Sequence, residues 1–136
     1  MNNFCTVCDF NFCDRVWALN HSLSKYSKDY TLNVLCLDKK AKKAFDANKQ
    51  KNKNIQTYCI EDLKRQDPVL EKSSRNPPSY EALNVSGGDN DRATWLQFLW
   101  SLSSYFSWYC LENLECDDII TLELCILKMI LMDISA

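Results

Sequence analysis

Eight cysteines are the residues of this 136-residue chain with the most chemistry to offer. Cys5 and Cys8 form a CxxC pair, and Cys13 follows closely. Such a pair can ligate zinc as thiolates or cycle between dithiol and disulfide. A zinc ribbon needs a second pair at similar spacing, and Cys110 and Cys116 stand too far apart to supply it. The start, Met1-Asn2-Asn3-Phe4, shows no basic region followed by an apolar stretch. No secretory signal is visible there, and a cytoplasmic location with reduced thiols is expected. Buried, free, structural thiols are therefore the expectation for the set.

Seven lysines between positions 39 and 53 suggest an anion or nucleic-acid patch. Asp38 and Asp46 interrupt them, no aromatic residue stands in exposed register, and the net charge is only −2. A solvated helix face is expected instead, with no nucleic-acid partner. The single histidine, His21, has no companions for catalysis or metal binding. Pro77-Pro78-Ser79-Tyr80 matches the PPxY string that WW domains bind, a short match that polar loops produce readily.

The elements that must hold these residues show as alternating periodicities. Residues 4–8 are an apolar run of buried-strand length; Val16, Leu19, Leu23 and Tyr26 then recur at helical spacing. Residues 31–37 read as a second strand closing on Asp38, and Ala41, Ala44 and Phe45 stripe a lysine-rich helix. Residues 55–60 read as a third strand. This alternation predicts a parallel α/β sheet with right-handed crossovers. Cys5, Cys36 and Cys59 each fall inside a predicted strand, which suits small buried hydrophobes.

Residues 61–73 read as short helical pieces broken at Pro68, and 74–91, with two prolines and two glycines, as a long internal loop. A long helix follows, with Asp91 as N-cap and an apolar face of Trp95, Phe98, Leu99, Leu102, Phe106 and Tyr109. Leu96, Trp100 and Trp108 widen the stripe, so burial on most sides is expected. A fourth strand is predicted over 118–122, and the apolar stretch 124–132 is too short to span a bilayer. Hydrophobic residues at 46%, with only 2 Gly and 3 Pro, favour a single packed domain over a turn-rich β fold.

Four strings, in this order of elements, resemble the nucleotide-diphospho-sugar transferase superfamily of GT-A fold, and within it the glycosyltransferase family 8-like members. They are Phe4-Cys5-Thr6-Val7-Cys8-Asp9 with Phe12, Arg15, Ala18-Leu19 and Ser22-Leu23; Leu32-Asn33-Val34-Leu35-Cys36-Leu37-Asp38; Trp100-Ser101-Leu102-Ser103-Ser104; and Asp117-Asp118-Ile119-Ile120-Thr121. The resemblance covers residues 4–121. It implies a Rossmann-like GT-A half, with a central, mainly parallel sheet flanked by helices.

It also implies a nucleotide sugar, in particular a UDP-sugar, as partner. In an open α/β sheet ligands lie beyond the carboxyl ends of the strands, where Cys8, Asp9 and Phe12 fall. Phe12 would stack on the base, Asp9 would accept hydrogen bonds from base or ribose, and Thr6 would add a hydroxyl or backbone contact. Arg15 and Arg92 are the basic positions, Arg92 at a helix start whose N–H groups suit phosphate. Phe12 stands where the family usually has Tyr.

The chain departs from the pattern after Thr121. The family's fourth strand runs into an Asp-x-Asp string that holds Mn2+ or Mg2+ against the diphosphate leaving group. Here Leu122-Glu123-Leu124-Cys125-Ile126 follows, and the adjacent Asp117 and Asp118 would point to opposite faces of a strand. Metal ligands and catalytic residues are therefore unassigned, and a truncated or frame-shifted chain is expected. The expected function is the donor-binding part of a glycosyltransferase, inactive as it stands. The alternatives are a noncatalytic nucleotide-binding or protein-interaction module and a cysteine-dependent metal or redox domain.

Overall fold

A computed structural model of the chain describes residues 1–73 and 89–122, with side chains at 1–71 and 101–122. Strands β1 (Asn2–Cys8), β2 (Tyr30–Cys36) and β3 (Ile55–Cys59) form from runs rich in β-branched, aromatic and cysteine side chains. Such side chains suit a pleated surface covered on both faces. With the two-residue β4 (Ile120–Thr121), the sheet order is β3-β2-β1-β4 and every pairing is parallel. Cys8 stands opposite Cys36, and Cys36 opposite Cys59, at the carboxyl ends of the three long strands. Winding runs outward from β1 through β2 to β3, and β4 then joins the other side of β1. The chain is α/β with a mainly parallel sheet flanked by helices, a Rossmann-like arrangement.

Alternation along the strands feeds two cores. Leu32, Val34 and Cys36 face the first, together with Val16 of α1 (Cys13–Tyr26) and with Ala41 and Phe45 of α2 (Lys39–Ala47). Cys5, Val7 and Leu35 face the second. It is closed by Leu63 of α3 (Ile60–Gln66), Leu70 of α4 (Pro68–Ser73), and Leu102, Phe106 and Cys110 of α5 (Asp89–Asn113). Burying each large apolar side chain contributes roughly 1.5–3 kcal/mol, so the described sheet is held from both faces.

Several sequence expectations shift. Tyr26 is 90% exposed, because ten residues beyond Val16 is not a whole number of helical turns; the buried positions of α1 are Cys13, Val16 and Asn20. Asn20 is held by the Tyr30 hydroxyl, which reaches its Oδ1 at 2.7 Å and its carbonyl at 2.9 Å. Trp108 is 51% exposed, resting beside Tyr105 on the solvent flank of α5, so this part of the helix buries one stripe and not most sides. Asp91 lies inside α5, not at its N-cap, since Asp89 and Asn90 are already helical. Acidic residues in a first turn complement the helix dipole. The rest of the expected loop, with its PPxY string, and the stretch 124–132 lie outside the described residues. Among the described residues, no helix is long and apolar enough to cross a membrane.

Candidate functional site

The carboxyl ends of β1 and β2 are tied together by Asp38. Beyond the strands, the Leu37 N–H donates to the Cys8 carbonyl at 2.9 Å. Asp38 then caps α2, its Oδ1 accepting the Ala41 N–H at 2.7 Å. Its Oδ2 accepts the Phe10 N–H at 3.2 Å, which fixes the turn after β1 against the end of β2. That turn is a short 3-10 helix (Phe10–Phe12), in which the carbonyl of the fully buried Asp9 accepts the Phe12 N–H at 3.2 Å and the Cys13 thiol at 3.6 Å.

Two aromatic rings leave this turn in different settings. Phe10 is 48% exposed at the mouth. Phe12 is half-buried against the first core, and the Arg15 guanidinium lies over its ring at 5.0 Å. This is a cation–π contact that covers the ring from one side. On the other side of β1, β4 pairs only as far as Cys5, where the Leu122 N–H donates to the Cys5 carbonyl at 2.8 Å. The reversal of winding at β1 therefore opens beside this turn.

Of the six positions expected from the sequence, Cys8, Asp9, Phe12 and Arg15 lie around the end of β1. Cys8 and Asp9 are buried, however, and Arg15 covers one side of the Phe12 ring, so the expected contacts of Asp9 with base or ribose and of Phe12 with the base are not open in this arrangement. Thr6 lies deeper in β1 and is 1% exposed, its hydroxyl without a hydrogen-bond partner among the described residues. Arg92 is in the first turn of α5, and its side chain is outside the described residues. Sequence reasoning missed Phe10 and Asp38. Their signals were an aromatic directly after the strand-terminal Asp9, and an aspartate standing three residues before the first apolar position of a helix.

The thiols form two groups on opposite faces of the sheet. On the first, Cys8 contacts Cys13 and Cys36; the hydrogen bond with Cys13 and then that with Cys36, with burial, push the Cys8 thiol up. The same Cys8 contact pulls Cys13 down. On the second, a hydrogen bond from Cys110 pulls Cys5 down to about 6 against burial, aided by Ser107 and Thr121. Cys110 is pushed up in turn by that bond and by burial. All seven cysteines of the described residues are free, six of them buried and Cys116 half-buried; Cys125 lies outside.

Among the described residues, no cluster of three or more His, Cys, Asp or Glu is arranged to hold a metal ion. Asp117 and Asp118 are exposed, and the string after Thr121, where the family pattern is lost, lies beyond Leu122 outside the described residues. A cavity of about 380 Å³ opens on the outer edge of β3, against Tyr58, Cys59, Asp62, Arg65 and Tyr109, two strands away from the reversal of winding. No protein-family model matches the chain, and neither does any curated protein or solved structure.

Proposed function

We propose that this chain binds the nucleoside diphosphate of a nucleotide sugar, in particular a UDP-sugar, as the donor-binding part of a GT-A glycosyltransferase. The observation that carries the proposal is the reversal of winding at β1, with an Asp9-to-Phe12 turn fastened there by Asp38. Open parallel sheets take ligands at such a point, beyond the carboxyl ends of the strands. Phe10 offers an accessible ring for the base. The Asp38 carboxylate, with one N–H on each oxygen, keeps acceptor capacity for ribose hydroxyls. Arg15, held over Phe12, brings a positive charge toward the diphosphate.

Stacking is worth roughly 1–3 kcal/mol and a hydrogen bond to a carboxylate about 1.5–3 kcal/mol. Immobilising the ligand offsets much of that, which sets the affinity for UDP in the millimolar to high-micromolar range. Chemical-shift mapping with UDP tests this. Perturbations are expected at residues 9–12 and 38, and Phe10→Ala should remove them while leaving the remaining spectrum in place. Shifts confined to the lysines between 39 and 53 would mean unspecific phosphate attraction and end the proposal.

A further inference from the structure

Cys5 sits in the middle of β1 and points into the second core, 1% exposed. Its surroundings are nonetheless polar. Its sulfur lies 3.5 Å from the Ser107 hydroxyl and 3.5 Å from the Thr121 hydroxyl, and Cys110 belongs to the same buried cluster. Ser107 and Cys110 come from one face of α5, three residues apart, so the helix face that touches Cys5 also carries Cys110 into the same cluster. The Ser107 and Thr121 hydroxyls are bonded to each other at 2.5 Å. Thr121 is exposed and Ser107 half-buried, so these hydroxyls form the layer between the Cys5 sulfur and solvent.

Among the described residues, that layer rests on few contacts. β4 is two residues long, and its partner register spans only Phe4 and Cys5. A segment so lightly paired opens at low cost relative to global unfolding. The thiols of the other face differ, because Cys36 is central in the sheet and Cys8, Cys13 and Cys36 lie in the apolar core under α1 and α2.

We propose that Cys5 and Cys110 are an oxidative modification site, a dithiol that a hydroperoxide converts into a disulfide joining β1 to α5. The Cys5 thiolate attacks the outer peroxide oxygen; the O–O bond breaks, and the leaving alkoxide, or hydroxide, takes up a proton. Cys5 is then a sulfenic acid. The Cys110 sulfur attacks the Cys5 sulfur, an S–S bond forms, the S–O bond breaks, and the hydroxide leaves as water with the Cys110 proton. Two thiols are oxidised by two electrons, and one peroxide is reduced to an alcohol, or water, plus water. Hydrogen bonds to Cys5 draw its thiol downward toward the thiolate that attacks the peroxide, and Cys110 gives up its proton as its sulfur attacks the sulfenic acid.

The test treats the reduced full chain with hydrogen peroxide, blocks remaining thiols with N-ethylmaleimide, and maps the digest by tandem mass spectrometry. Fragmentation distinguishes Cys5 from Cys8 and Cys13 on the same tryptic peptide. A Cys5–Cys110 link that dithiothreitol reverses is expected, formed before Cys116 is oxidised. In Cys110→Ser, Cys5 is expected to stop at a sulfenic acid that dimedone captures, and Ser107→Ala should slow the reaction roughly three- to tenfold. No Cys5–Cys110 link at doses that oxidise Cys116, or a Cys8–Cys13 link formed first, would overturn the proposal on the unmodified chain alone.

Discussion

Replacing Asp38 separates its two duties. Asp38→Ala removes the cap of α2, the 2.7 Å bond from the Ala41 N–H, which is worth about 0.5–2 kcal/mol. It also strips the Phe10 N–H of its 3.2 Å acceptor. Water reaches that exposed position, so the loss sits near the lower end of the range for bonds to charged groups, about 1.5 kcal/mol. Together the substitution should cost about 2–3.5 kcal/mol. Asp38→Asn behaves differently, because asparagine caps as well as aspartate but presents an NH₂ to the Phe10 N–H. Only the cross-turn bond is lost, at about 1.5 kcal/mol. Urea unfolding followed by tryptophan fluorescence reads both differences as midpoint shifts at constant slope. Hydrogen exchange at the Phe10 amide should accelerate in both variants. Equal losses for the two substitutions, or a loss below about 0.5 kcal/mol for Asp38→Ala, would refute the claim that this carboxylate joins the turn to the sheet.

Two further outcomes are expected. The Tyr105 hydroxyl donates to Asp67 Oδ2 at 2.7 Å and, with backbone N–H groups, holds the Asp67 carboxyl below its usual range. The associated stability is therefore present at neutral pH and is lost as pH falls through that depressed value. Tyr105→Phe should flatten this acid limb in stability measured from pH 7 down to about pH 3, and an unchanged limb would rule the contact out as its source. Cys36 and Cys59 should resist a thiol reagent until the protein unfolds, since both are buried and stand opposite each other on β2 and β3; native-state labelling of either at the rate of half-buried Cys116 would contradict that placement.

The parallel sheet was legible because β1 and β2 are short, mostly apolar runs of the kind that burial on both faces requires, and the β-branched and aromatic residues of β3 continue the alternation of strand and helix. β1, β2 and β3 accordingly lie within two residues of their expected limits. The fourth strand is shorter than 118–122 because it is an edge, paired on one side among the described residues, and Asp117 and Asp118 before it stay exposed. Periodicity served less well at the ends and flanks of helices. Tyr26 and Trp108 carry apolar surface that a stripe count assigns inward, while the structure leaves both largely in solvent. Conversely Asn20, polar by type, is buried because the Tyr30 hydroxyl satisfies it from the next strand.

The sites were less legible, for a reason the cysteines make concrete. A CxxC string suggests two thiols that act together, as they can in a turn or at the start of a helix. Within a strand, residues three apart point to opposite faces. Cys5 and Cys8 are therefore separated by the sheet itself and delivered to different cores. Cys8 meets the nearby Cys13 first, but the other companions come from distant parts of the chain, Cys36 for Cys8 and Cys110 for Cys5, which spacing along the sequence does not reveal. The Phe10–Asp38 bond is hidden in the same way, since only the parallel register of β1 and β2 sets those residues beside each other. Strand parity thus removes the local pair that the string suggests and substitutes two tertiary ones. The tertiary pair at Cys5 is buried, but it lies beneath two hydroxyls, one of them on a two-residue strand, and the proposed oxidation depends on that cover opening.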